Sequence, residues 1–209
     1  MHPYLTRLGV RPEVQAFFEP YYSAVSSDLL FQRGNYREHF GFAFHRIPNG
    51  GDFWLAGELN LSMVNRVLIS TSAMYAIAFL HFFGHSLAHW ENILFISTGV
   101  KPTAIQLGWI RDRLAGKYLT LLFPADLPGA VTDLKVAAAF RRMPAAAFLA
   151  EKERLKICFR AKVYEFDRQT FTLSAFERAA SYRFKVVTCK PKHGASFLDQ
   201  LKAGAFPSH

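Results

Sequence analysis

Arg66-Val67-Leu68-Ile69-Ser70-Thr71-Ser72-Ala73-Met74-Tyr75-Ala76-Ile77-Ala78-Phe79-Leu80-His81-Phe82-Phe83-Gly84 is the stretch on which the fold turns. Its first five residues include a short continuous apolar run, which suits a strand buried on both faces. Thr71 and Ser72 offer a helix N-cap. Ala73 to Phe83 carries an apolar stripe, and Gly84 stops it. Strand and helix thus follow each other directly. The unit recurs downstream. Asn92 to Ser97 reads as a second buried strand, and Pro102 opens a helix over Thr103 to Ala115 that ends at Gly116. Tyr118 to Phe123 is a third strand, followed by a helix from Ala130 to Arg142. Such alternation predicts an α/β fold: a parallel, Rossmann-like sheet with helices on both faces, joined by right-handed crossovers.

Outside this core the signals weaken. Pro144 to Leu149 reads as the start of a fourth helix, and Leu155 to Cys158 as a short strand or the end of that helix. Phe184 to Cys189 is a later strand and Ala195 to Ala203 a short C-terminal helix. Residues 1–39 read as helical and irregular, with Pro12 in the first turn of a helix over Glu13 to Phe18. Polar residues Ser23, Ser26, Ser27 and Asp28 then break the periodicity. Phe40, Phe42 and Phe44 alternate with Gly41 and Ala43, a strand period. Pro48-Asn49-Gly50-Gly51 is a turn, and Phe53 to Gly57 a returning strand, so a β-hairpin is expected. The expected division is an N-terminal helical segment and hairpin over 1–62, and an α/β domain over 63–209.

Of the 209 residues, 51% are hydrophobic and 15% aromatic, enough for a sizeable core. No apolar run approaches the roughly 20 residues that span a bilayer. The start Met1-His2-Pro3-Tyr4-Leu5 lacks a signal-peptide pattern, so a cytoplasmic location is the expectation. Cys158 and Cys189, far apart and in no CxxC pattern, read as free thiols.

The net charge of +9, from 25 Lys and Arg against 16 Asp and Glu, favours a polyanionic partner, nucleic acid foremost. Basic residues recur in three places: Arg33, Arg37 and Arg46; Arg141 and Arg142 with Lys152 and Arg154; and Lys185, Lys190 and Lys192. Tyr36, Tyr182 and Phe184 are interleaved with them. That mixture suits phosphate neutralisation with base stacking, although a merely solvated face has the same composition.

Ligands of open α/β sheets bind beyond the carboxyl ends of the strands. Three such ends are Ser70-Thr71-Ser72, Ser97-Thr98-Gly99 and Phe123-Pro124-Ala125-Asp126-Leu127-Pro128-Gly129. In order and spacing they resemble the motifs of the toprim domain of topoisomerases, primases and primase-like proteins of mobile elements. Cys189 to Leu201 is similar to that family's basic loop and final helix, and Phe44 to Asn60 to a hairpin preceding its core. The resemblance covers about residues 40–202. It implies a carboxylate cluster holding Mg²⁺ through hard oxygen ligands. Here the chain departs from the family. Thr71 stands at the Glu position, Pro124 at the first Asp of Asp-x-Asp, Tyr75 at the Asp of the first helix and Ala195 at the C-terminal acid; Asp126 alone remains.

The resemblance therefore implies a non-catalytic, nucleic-acid-associated module of replication or mobilisation, with no cofactor and no bound metal. Ser70, Thr71, Ser72, Ser97, Thr98 and Gly99 would form a hydroxyl-rich, carboxylate-poor crevice for an anion. One alternative is a protein-interaction module of a mobile-element complex. Another is a metal-dependent nucleotidyl transferase or nuclease whose ligands have moved to Glu58, Asp126 and Asp133. His81, His85 and His89 have the i, i+4, i+8 spacing of a helical metal site, but Gly84 falls between the first two. No GxGxxG, P-loop or Gly-x-Ser-x-Gly pattern occurs.

Overall fold

The structure, a computed structural model, describes residues 1–42, 44–87, 90–143, 145–149 and 154–205. Two short helices open the chain, α1 (Pro3–Arg7) and α2 (Pro12–Phe18), each with proline in its first turn, where a missing N–H costs no hydrogen bond. An antiparallel sheet follows in the order β1 (Ser23–Val25), β2 (Asp28–Arg33), β3 (Tyr36–Phe40), β4 (His45–Arg46). Leu29, Phe31, Arg33, Glu38 and Phe40 point inward from β2 and β3, while Gln32 and Arg37 lie exposed on the other face.

Residues 1–39, expected to be helical and irregular, thus hold three strands. The polar residues that interrupt the pattern are the turn at Ser26, with φ 55°, and the outward side of a half-buried sheet. The expected hairpin is also corrected. Its first strand, Phe40 to Phe44, is instead the end of β3 and a connection back to β4, which pairs through Phe40 and His45. Ala43 lies outside the described residues.

The returning segment, β5 (Trp54–Gly57), leaves for a second sheet. There β6 (Arg66–Ser70), α3 (Ala73–Phe83), β7 (Ile93–Ser97), α4 (Ala104–Arg113), β8 (Tyr118–Leu122) and α5 (Leu127–Phe140) alternate as the sequence predicts. An insertion follows. It comprises the antiparallel strands β9 (Ala145–Leu149), β10 (Arg154–Phe159) and β11 (Lys162–Asp167), then α6 (Leu173–Ala179). The chain ends with β12 (Val187–Thr188) and α7 (Phe197–Ala205). The stretch read as a fourth helix is strand β9: its alanines pair with β10 in register from Ala145 to Leu149, and that pairing overrides their helix propensity. Pro144 lies outside the described residues.

The second sheet runs β12-β8-β6-β7-β5, all parallel but for the antiparallel edge β5. Leu68 and Phe95 face one core with α1, α2, α3 and α7. Val67, Ile69, Ile96 and Leu121 face another with α4, α5, β10 and α6. From β6 the chain steps one way through α3 to β7. It then steps the other way through α4 to β8, and onward past α5 to β12. Right-handed crossovers require helices on opposite faces for opposite steps, as here. The direction reverses between β6 and β8, so the switch-point crevice lies between their carboxyl ends. The N-terminal segment contributes both the edge strand β5 and part of the first core. Cys158 and Cys189 are free and half-buried. Among the described residues no helix is long and apolar enough to cross a membrane.

Candidate functional site

Thr71 and Pro124 follow adjacent strand ends, since Ser70 of β6 pairs with Leu122 of β8. The crevice between them differs from its expected form. Ser70, Thr71, Ser72, Ser97 and Thr98 are all buried. The hydroxyls of Ser70, Ser97 and Thr98 are turned to main-chain carbonyls. Ser70 Oγ donates to Ser72 O at 2.8 Å, Ser97 Oγ to Thr71 O at 2.9 Å and Thr98 Oγ1 to Gly99 O at 3.2 Å. Ser72 Oγ accepts from Tyr75 N at 3.1 Å, capping α3.

The free N–H of Ala73 at the start of α3 donates to Glu38 Oε2 at 2.9 Å. Glu38, wholly buried, comes from β3, and its Oε1 lies 2.8 Å from His45 Nε2. A carboxylate at a helix N-terminus is favourable, and here the chain supplies its own. An outside anion at Ser70 to Gly99 would meet that charge, which corrects the expectation of a carboxylate-poor crevice. Tyr75, at the expected acidic position, is half-buried; burial raises the pKa of its hydroxyl, with Ser196 opposing. The carbonyl of Ala195 accepts from Ala125 N at 2.8 Å, tying the C-terminal segment to the end of β8.

Arg33 seals the other flank. It is 1% exposed and donates to Pro48 O and Asp52 O, each at 3.1 Å. Gly99, at φ 86°, leaves the space that this guanidinium fills. Burial pulls the Arg33 pKa down, while Glu38 and Asp52 pull it up. Arg33 therefore does not reach the surface as a nucleic-acid contact. Both Glu38 and this role of Arg33 escape a sequence reading that treats residues 1–39 as irregular. The period-two pattern Arg37-Glu38-His39-Phe40 is the signal that could have revealed them.

Beyond β8 the edge is open. A cavity of 480 Å³ is lined by Leu127, Ala130, Phe171 and Leu173, by Asp126, Asp133 and Lys190, and by threonines 170, 172 and 188. Asp126 Oδ1 accepts from Gly129 N at 2.8 Å and so caps α5. Asp133 is 1% exposed, and Lys190 Nζ lies 2.6 Å from its Oδ2. That contact gives Oδ2 its countercharge, while Oδ1 has no hydrogen-bond partner among the described residues. Burial pushes the Asp133 pKa from 3.8 to about 7, with Lys190 opposing it. Lys190 Nζ also donates to Phe123 O at 2.8 Å and Pro124 O at 3.1 Å. An ammonium has three N–H groups, and these three contacts engage them, so Lys190 acts as an internal tether.

The relocated metal cluster does not assemble. Glu58 N bonds Ile93 O at the amino end of β7, whereas Asp126 follows the carboxyl end of β8, so the two sit at opposite ends of the parallel strands. Among the described residues, no three His, Cys, Asp or Glu side chains stand close enough to hold a metal ion. His81 lies on α3, where its Nδ1 accepts from Arg11 N at 3.3 Å, and burial lowers its pKa. His85 falls in the 3₁₀ turn after Gly84, and His89 lies outside the described residues.

Of the expected cationic residues, Arg37 and Arg46 share the outward face of β3 and β4. With Tyr36, His39, Leu30 and Pro48 they line a groove of 470 Å³. Tyr36 is 51% exposed, and His39 Nε2 lies 2.8 Å from Asp28 Oδ2. Arg141 and Arg142 are exposed just past the end of α5, about 20 Å from Asp126 at its start. Lys192 is exposed beside α7, and Lys152 lies outside the described residues. Compared with known proteins, the chain matches no family model, no curated protein and no solved structure.

Proposed function

We propose that the chain is a toprim-like, nucleic-acid-associated module that binds its polyanion on the outer face of β2–β4 and performs no metal-dependent strand chemistry. The observation that carries this reading is the groove bordered by Arg37, His39, Arg46 and exposed Tyr36. Cationic groups beside an aromatic on a solvent-facing sheet suit backbone neutralisation with base stacking. The excess of nine positive charges supports the same partner. The acids near the switch point have other work: Glu38 caps α3, Asp126 caps α5 and Asp133 faces Lys190.

The test is fluorescence anisotropy with a labelled single-stranded oligonucleotide across a salt series. Binding should weaken with salt. The Arg37→Ala/Arg46→Ala double variant should flatten the log–log slope by about 1.4, at roughly 0.7 per phosphate contact. Affinity that is immeasurable at low salt would sink the reading. An interaction module of a replication or mobilisation complex is the second reading, and Phe42 at 67% and Phe44 at 47% exposure favour it. It predicts oligonucleotide-independent association that Phe42→Ser/Phe44→Ser removes.

A further inference from the structure

The cavity beside β8 and β12 plays no part in the outer-face reading. Leu127 and Ala130 of α5, with Phe171 and Leu173 at the start of α6, give it an apolar lining. Asp133 lies three residues past Ala130 on the same helical face, and it too lines the cavity at 1% exposure. Buried carboxylates ordinarily accept hydrogen bonds at both oxygens; here Lys190 serves Oδ2, and Oδ1 has no donor among the described residues. The engaged protons of Lys190 cannot supply more. A further donor must come from whatever enters. Thr170 and Thr172 stand exposed at the rim, with half-buried Thr188 beside them, and they suit a hydroxylated part of a ligand. The volume of 480 Å³ falls within the range of small-molecule sites.

These features ask for a partly apolar body, an N–H edge pointing at a buried carboxylate, and hydroxyls left at the mouth. Amino-bearing nucleosides meet all three demands. The geometry points to a nucleoside site in this cavity, with an amino-bearing base inside on Asp133 and the sugar at the threonine rim. The base is either that of a free nucleoside or one unstacked from a strand, and the chemistry is the same for both. Uracil is a poor fit, because its ring N–H is flanked by two carbonyl oxygens that would face the carboxylate.

Calorimetric titration of the full chain with adenosine, cytidine, guanosine and uridine at pH 8 tests the proposal. At least one amino-bearing nucleoside should bind with a dissociation constant of about 1 mM or tighter, and uridine about tenfold more weakly, since the carboxylate would face unmatched acceptors. Asp133→Asn should weaken the bound nucleoside by about tenfold or more. Because Asp133 is buried, Thr170→Trp provides a second variant at an exposed mouth position, expected to abolish binding while the circular dichroism spectrum is unchanged. Arg37→Ala/Arg46→Ala should leave nucleoside binding intact, so failure here and failure of the outer-face reading are separable. Displacement of a labelled oligonucleotide by the nucleoside would assign the site to a base in a strand; binding without displacement would assign it to a free nucleoside. No binding up to about 10 mM, well beyond weak small-ligand affinity, overturns the proposal. So does equal binding of uridine, or indifference to both cavity variants.

Discussion

The carboxyl ends of β6 and β8 lie side by side, yet one is sealed and the other open. At β6 the buried carboxylate of Glu38 has two partners, a helix N–H and His45. The hydroxyls around it serve main-chain carbonyls, and Arg33 closes the flank. At β8 the equally buried Asp133 has an ion pair at Oδ2, no donor at Oδ1 among the described residues, and a cavity beside it. Depth of burial is the same, so burial does not separate a structural acid from one able to receive a ligand. The partner set does.

The strongest way to break the comparison is Glu38→Ala. It leaves the Ala73 N–H, His45 and buried Arg33 without their shared acceptor or countercharge, and should cost about 3–5 kcal/mol. Urea unfolding measures it. Glu38→Gln, which keeps an acceptor for Ala73 N, should cost less. If the crevice were instead built for an outside anion, Glu38→Ala would be tolerated and inorganic phosphate would restore the wild-type melting temperature.

Asp133→Asn should act in the opposite direction. Folding raises this pKa from 3.8 to about 7. The folded state is therefore fully favoured while the carboxyl keeps its proton. That advantage is lost as pH climbs from about 4 to about 7, and amounts to about 4 kcal/mol at most. The wild-type chain should accordingly lose stability between pH 5 and pH 8. Asp133→Asn should flatten that dependence and match or exceed wild-type stability at pH 8. Melting temperatures across this range check it, and a variant as pH-sensitive as wild type would refute the assignment to Asp133.

The two ends also differ in how legible they were. Strands β6, β7 and β8 and their helices could be read because each strand is a continuous apolar run followed by its own cap, as at Ser72 and Thr103. The adjacency of Thr71 and Pro124 does not follow from that alternation, because it depends on the chain crossing back past β6 to place β8 beside it. Glu38 was not legible, because its role depends on where β3 lands, some 35 residues from the helix it caps. The Asp133–Lys190 contact is equally hidden, since β9–β11 and α6 intervene and the alanine-rich sequence of β9 favours helix. By residue type Arg33 and Lys190 are surface cations, yet main-chain carbonyls brought near by tertiary packing claim their donors.

The smallest expected effect concerns Asp126, at the start of α5. Its carboxylate accepts from Gly129 N at the first turn of α5, which is ordinary N-cap geometry. Asp126→Ala should therefore destabilise the chain by about 1 kcal/mol, and Asp126→Ser should recover most of that, because a serine hydroxyl accepts the same N–H. A metal-binding carboxylate would behave otherwise. Serine would not replace it, and Mn²⁺ would raise the melting temperature of wild type but not of Asp126→Ser. Thermal denaturation of the three proteins with and without Mn²⁺ separates the alternatives. Rescue by serine with no response to metal places Asp126 with Glu38 among the acids that cap helices, and leaves Asp133 as the carboxylate at this edge that is short of a donor.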